Sequence, residues 1–165
     1  MSRVILIGSP NCGKSLLFNR LTGMSQKVAN FPGITVDVGS GKLQALPEVT
    51  LVDFPGTYSL QPISGEEQVA VKYFKAALDD PEVSQVLCLI DVTRLEKSLY
   101  FTLQVVREAA RHGMHVTVLA NMMDVLERHD ISVDLEGLSR EIGAPVLPIS
   151  ARTGAGIDGL IDRLR

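Results

Sequence analysis

The stretch Gly8-Ser9-Pro10-Asn11-Cys12-Gly13-Lys14-Ser15 decides how the rest of the chain is read. It follows a β-rich run, Arg3 to Ile7, and opens a helical pattern, Ser15 to Leu21. Its glycines and its Lys-Ser ending fit the spacing G-x-x-x-x-G-K-[ST]. Glycines at these places let backbone N–H groups turn inward around phosphate oxygens, and the helix N-terminus adds a favourable dipole. Lys14 then reaches the β- and γ-phosphates of a nucleotide, and the Ser15 hydroxyl is a ligand for Mg2+. A glycine-rich turn with no function has the same composition. The strand before the loop and the helix after it argue for the phosphate loop instead.

Outward from this loop, short apolar runs alternate with helical patterns. Arg3 to Ile7, Val49 to Val52, Gln85 to Ile90, His115 to Ala120 and Pro145 to Ile149 are rich in Val, Ile and Leu and suit strands buried on both faces. Ser15 to Leu21, Glu67 to Leu78, Leu95 to Arg111, Leu135 to Ile142 and Ile157 to Leu164 carry helical spacing. Gly23, Gly113 and Gly143 stand where the first, third and fourth of these end. Asp37 to Leu46 reads as a further, more exposed strand, paired as a hairpin with Val49 to Asp53 through Pro47-Glu48. The alternation predicts an α/β fold, a doubly wound and mostly parallel sheet with helices on both faces. Ligands of such sheets bind at the carboxyl ends of the strands.

Composition narrows the function. The chain has 165 residues, 16 basic and 19 acidic side chains and a net charge of −3, which speaks against a nucleic-acid partner. With 45% apolar and 21% charged residues it has the make-up of a folded domain. Two cysteines without CxxC spacing exclude a disulfide scaffold and a cysteine-held zinc. No apolar run approaches the roughly 20 residues that span a bilayer, and no export signal opens the chain. The expectation is a soluble, cytosolic domain over residues 1–165. Leu164-Arg165 interrupts a helical pattern without a cap, which points to a cut in a longer protein.

Four more segments fall at strand ends. Asp53-Phe54-Pro55-Gly56 places a carboxylate for the Mg2+ water shell and a Gly56 N–H for a γ-phosphate. On its own D-x-x-G is a common turn; one strand beyond a phosphate loop it senses the third phosphate. Phe31-Pro32-Gly33-Ile34-Thr35 offers Thr35 as a second hydroxyl ligand of Mg2+, or is an ordinary Pro-Gly turn. Asn121-Met122-Met123-Asp124 reads guanine, because a carboxylate accepts from both N1–H and the exocyclic amine, a donor pair adenine lacks. That choice, and the absence of a lid segment, set aside an ATP-using kinase. Ser150-Ala151-Arg152, after the last strand, would back the base through a backbone N–H.

In order, these five segments look like the G1 to G5 motifs of a Ras-like GTPase. The phosphate loop, Asn30-Phe31-Pro32-Gly33-Ile34-Thr35-Val36, Asp53-Phe54-Pro55-Gly56-Thr57-Tyr58-Ser59-Leu60, Ser64-Gly65-Glu66-Glu67 and Asn121-Met122-Met123-Asp124 together resemble the N-terminal G domain of the FeoB ferrous-iron transporter family. The resemblance covers essentially the whole chain. Ser9 stands where the family more often has Asn. It implies GTP and GDP as ligands, with Gly8, Asn11, Cys12, Gly13, Lys14, Ser15, Leu16, Gly33, Thr35, Asp53, Gly56, Asn121, Met122, Asp124, Ser150, Ala151 and Arg152 around the nucleotide. It assigns Mg2+ to Ser15, Thr35 and, through water, Asp53. Hydrolysis is assigned to Asn11, Lys14, Thr35 and Gly56, with K+ held by Asn11. It implies a helical and a membrane domain elsewhere in the polypeptide, a position on the cytoplasmic face of the bacterial inner membrane, and room for a homo-oligomer. The competing class is a ribosome-assembly or tRNA-modifying GTPase, which the acidic balance and the missing lysine of Asn121-Met122-Met123-Asp124 disfavour.

Other residues have plainer explanations. Cys12 fills a tight loop, although a thiol near a helix N-terminus can have its pKa lowered. Cys88 lies mid-strand and reads as core. His112, His115 and His129 lack the spacing and the carboxylate partners of a metal site, and His112 suits a helix C-terminus. Ser64 and Glu67 fit a capping box. Leu99, Leu103, Val106 and Ala110 form an apolar stripe expected to pack a helix. Thr57 stands where many Ras-like GTPases orient water with Gln, so hydrolysis needs another contributor.

Overall fold

Alternate residues of the strands sort the core by side-chain chemistry. Ile5, Ile7, Val52, Val86, Ile90 and Val118 belong to one buried cluster, and Leu6, Leu51, Leu87, Leu89 and Leu119 to another. Successive strand residues point to opposite faces, so each apolar run supplies both clusters at once. The computed structural model describes residues 2–23, 27–29, 38–54 and 65–165. Gly33, Thr35, Gly56, Thr57 and Ser64, all singled out above, lie outside them.

Among the described residues, seven strands form one sheet in the order β2-β3-β4-β1-β5-β6-β7. They are β1 (Ser2–Gly8), β2 (Lys27–Ala29), β3 (Val38–Lys42), β4 (Val49–Asp53), β5 (Val83–Asp91), β6 (Val116–Asn121) and β7 (Val146–Pro148). β4, β1, β5, β6 and β7 run parallel, while β3 is antiparallel to both β2 and β4. The helices are α1 (Lys14–Thr22), α2 (Gly65–Leu78), α3 (Leu95–Arg111), α4 (Met123–Arg128), α5 (Leu135–Ile142) and α6 (Ile157–Leu164). Tyr73 and Phe74 of α2, Phe101 and Val105 of α3 and Ile142 of α5 cover the Ile/Val face. Leu17, Phe18 and Leu21 of α1 with Leu160 and Ile161 of α6 cover the Leu face. The doubly wound, mostly parallel sheet is the one the alternation predicts.

Several expectations are corrected. β3 ends at Lys42, and the connection to β4 is a turn over residues 43–48 closed by Leu43 N–H to Val49 O and Val49 N–H to Leu46 O, instead of Pro47-Glu48 alone. β3 is also well buried, at Val38, Ser40 and Gly41, because β2 and β4 flank it. On α3 the inward face is Phe101, Val105 and Ala109 with Ser98 and Thr102; Leu103 is 42% exposed and Ala110 is exposed. The proposed stripe is therefore rotated around the helix, and only Leu99 and Val106 flank the core. The short elements β2 and α4 have no counterpart in the sequence reading. No helix among the described residues is long and apolar enough to cross a membrane.

Candidate nucleotide-binding site

Parallel strands bring the motifs to one edge of the sheet. β1 ends at Gly8, β4 at Asp53 and β6 at Asn121, with Leu6 opposite Asp53 in register. The turn from Gly8 to α1 is held from inside. Cys12 is buried, and a side chain at Gly8 would meet the Cys12 sulfur at 2.7 Å and the Leu89 carbonyl at 2.9 Å. Gly13 has φ +90°, and a Cβ there would collide with the Asn121 amide. Asn11 also takes a left-handed conformation, at φ +63°, with its side chain exposed. Ser9, Pro10, Asn11, Gly13, Lys14, Ser15 and Leu16 line an open cavity of about 370 Å³. A larger hollow of about 490 Å³, near Thr22, Lys42 and Thr50, lies toward the opposite end of the sheet, away from every motif.

Lys14 and Asp53 form a partly buried ion pair, with side chains 14% and 19% exposed. The two groups expected to meet phosphate and the Mg2+ water shell are thus within reach of each other. Burial pushes the Cys12 thiol up to about 11, outweighing the lowering by the Lys14 charge and by backbone hydrogen bonds. The buried Cys12 is the loop-filling side chain expected, and its thiol is not lowered, because the helix N-terminus does not offset the loss of water. Cys88 is fully buried as expected, its thiol pushed up to about 12 by the same cause.

The base end is organised by Asn121, which is 2% exposed. Its Nδ2 donates to Cys12 O at 2.9 Å, and its Oδ1 accepts from Ala151 N–H at 2.9 Å. One side chain therefore fixes the phosphate loop and the last loop together. Met122, in a left-handed conformation at φ +70°, starts the turn into α4. The Ser150 hydroxyl donates to Asp124 Oδ1 at 2.9 Å. Asp124 Oδ2 is buried and has no hydrogen bond, although Arg152 Nε lies 3.2 Å away and Arg128 Nη2 3.8 Å away. Burial works against the Asp124 charge, but the Ser150 bond, Arg152, a backbone N–H and Arg128 outweigh it and hold the carboxyl below its usual range.

Sequence reading missed Arg20. From the last turn of α1 it donates Nε–H to Ala151 O at 2.7 Å and Nη2–H to Arg152 O at 2.9 Å. A basic residue there reads as a helix-dipole contact, and nothing in its spacing announces a partner in the last loop. His112 caps the end of α3 as expected, yet it has carboxylate neighbours, Asp79 at 2.6 Å and Glu108 at 3.4 Å, which the sequence did not suggest. They approach different ring nitrogens. No cluster among the described residues has the make-up of a metal site.

Hard oxygen donors suit Mg2+, and the Ser15 hydroxyl and Asp53 carboxylate are such donors, placed around the phosphate loop. The Asn11 amide is a neutral donor suited to a monovalent cation.

Residues 2–164 match the family model described as ferrous iron transport protein B. The Fe(2+) transporter FeoB of Escherichia coli K12 is 39% identical over 97% of this chain, and that of Salmonella typhimurium LT2 is 39% identical over 96%. This chain spans about a fifth of those relatives, 21% and 20%. A GDP-bound variant of the S. thermophilus NFeoB protein superposes with TM-score 0.82 at 36% identity, covering 98% of this chain and 60% of that one. The S. thermophilus NFeoB bound to GDP.AlF4− and K+ superposes with TM-score 0.79 at 37% identity, covering 99% and 60%. By its sequence over nearly its full length and by its G-domain fold, the chain belongs to the FeoB ferrous iron transport family.

Proposed function

We propose that this chain, over residues 1–165, is a GTP-hydrolysing domain that regulates or powers ferrous-iron uptake. In this reading it sits on the cytoplasmic face of the bacterial inner membrane and is joined to a helical and a membrane-embedded part of the same polypeptide. One observation carries the reading: Asn121 joins the phosphate loop to the last loop, beside a buried carboxylate oxygen with no hydrogen bond. A guanine base donates two N–H groups to such a carboxylate, and Asp124 stays ionised to accept them. Backbone N–H groups of the Gly8 to Ser15 loop, other than Pro10, receive the phosphates, and Lys14 exchanges its Asp53 partner for phosphate oxygens.

Ser15, Thr35 and, through water, Asp53 would hold Mg2+, and Asn11 would hold K+; these ions would supply positive charge against the charge that develops on the transferred phosphate. Gly56 offers its N–H to the third phosphate. Thr57 is too short to orient water as Gln does, so the cation replaces part of the missing function. A related G domain solved with GDP.AlF4− and K+ supports this assignment. An arginine finger is worth about 10³- to 10⁵-fold, and a single monovalent cation with looser geometry gives less, about 10- to 100-fold. The test is GTP turnover at constant ionic strength in K+ or Na+, for the parent and Asn11→Ala. Faster turnover in K+ that disappears in Asn11→Ala is expected. Equal parent rates in the two salts remove the cation from the mechanism.

A further inference from the structure

Asp124 is approached by two guanidinium groups, and they are not equivalent. Arg128 comes from the same helix, one turn on, and stays at 3.8 Å. Arg152 comes from the last loop and brings its Nε to 3.2 Å from Oδ2. That oxygen is buried and has no hydrogen bond, so Arg152 lies close by charge without donating along a good line. The Arg152 side chain is 64% exposed, whereas its backbone is fixed. Arg20 holds Arg152 O at 2.9 Å and Ala151 O at 2.7 Å, and Thr153 N–H donates to Ser150 Oγ at 3.2 Å.

A guanidinium and the N1–C2–N2 edge of guanine are alike: each is a planar N–C–N unit with N–H donors side by side. Both seek the same carboxylate. We propose that the Arg152 side chain is an internal competitor for the guanine-reading carboxylate, holding Asp124 when the base is away and yielding to it when the base arrives. This deepens the assignment of Asp124 to guanine and rests on it. The competitor lowers guanine-nucleotide affinity and speeds release, because it re-forms its contact as the base departs. Only the exposed side chain moves; the loop stays clamped by Arg20. An exposed ion pair of this kind corresponds to about a 1.5- to 5-fold change in an equilibrium constant.

The test uses fluorescent GDP with this chain, by titration and by stopped-flow dissociation. Arg152→Ala should bind GDP about 1.5- to 5-fold more tightly and release it more slowly. The gap to the parent should narrow as salt rises, since exposed charges are screened. ADP binding should be the same in both proteins. In an Asp124→Asn background, with xanthosine diphosphate as the probe, adding Arg152→Ala should change nothing. Weaker or unchanged GDP binding by Arg152→Ala, or an equal gain in the Asp124→Asn background, overturns the proposal while leaving the role of Asp124 intact. An Asp124→Asn single variant that keeps its preference for GDP over xanthosine diphosphate overturns the base reading, and the proposal with it.

Discussion

Asn121→Ala should damage the domain before any nucleotide is added. The side chain is 2% exposed and makes two bonds of 2.9 Å, to Cys12 O and from Ala151 N–H. Cys12 and Ala151 are each 1% exposed, so truncation leaves a buried acceptor and a buried donor without partners. Each orphaned group costs about 1–3 kcal/mol, giving about 2–5 kcal/mol when some water enters the gap. For a domain of this size that is a fall of about 4–20 °C in Tm, a large part of a total stability of about 5–15 kcal/mol. The chain has no tryptophan, so far-UV circular dichroism is the better readout for thermal and urea unfolding. Asn121→Asp keeps the acceptor for Ala151 but sets an oxygen against Cys12 O, and should be no better. Addition of GDP should recover less stability in either variant than in the parent, because the two loops no longer move as one. A Tm within about 2 °C of the parent for Asn121→Ala would refute the clamp.

Four further outcomes are expected. Asp124→Asn loses charge-assisted bonds worth about 1.5–3 kcal/mol, so GTP should bind roughly 10- to 150-fold more weakly and xanthine nucleotides better, read by competitive titration. Met122 has an apolar stem but no ammonium, so stopped-flow GDP release should be fast without an exchange factor; dissociation over many minutes contradicts this. Because the Asp124 pKa is lowered on folding, its stabilising contribution is complete above the ordinary carboxylate range and is lost only as pH falls through the lower folded value. The preference for GDP over ADP should therefore hold from about pH 8 to about pH 5, since protonation of the terminal phosphate at about pH 6 affects both nucleotides alike. The two thiols are raised, to about 11 and about 12, so their contribution is complete below the usual thiol range and is lost as pH rises through those values, seen as a falling Tm in strong alkali.

The parts of the fold legible in sequence were those with continuous physical signals. α3, α5 and α6 match their predicted bounds, α3 through seventeen residues of helical spacing and α3 and α5 through the glycines, Gly113 and Gly143, that follow them. β1, β4, β5 and β6 matched to within a few residues, as Val/Ile/Leu runs buried on both faces should. β7, expected to be buried likewise, is an edge strand with Val146 and Leu147 half-buried and Pro148 exposed. β2, with three residues, and α4, with six, are too short to carry a period. The α3 face was misjudged because Ser98 and Thr102 are inward: Thr102 Oγ1 donates back to Ser98 O at 2.7 Å, and Ser98 Oγ accepts from Asp91 N–H at 3.3 Å, so polar residues occupy core positions. At the site, motif spacing located Lys14, Asp53, Asn121 and Asp124, because phosphate and guanine demand those groups. What joins them was not legible. The Arg20 contacts and the Asn121 bond to Cys12 O span 109 to 132 residues, the Asn121 bond from Ala151 N–H spans 30, and all use backbone groups, which have no residue-specific signature.

Those separations also set an order of events during synthesis. Cys12 cannot be fastened until residue 121 has been made, nor Arg20 until residues 151 and 152 follow. A growing chain can form β1 and α1 early, yet long-range contacts form only after their loops close. The phosphate loop thus leaves the ribosome long before the residues that brace it. On the proposed reading, the nucleotide site is assembled in two stages, at residue 121 and again at residues 151 and 152, so a product truncated between them keeps an incomplete pocket.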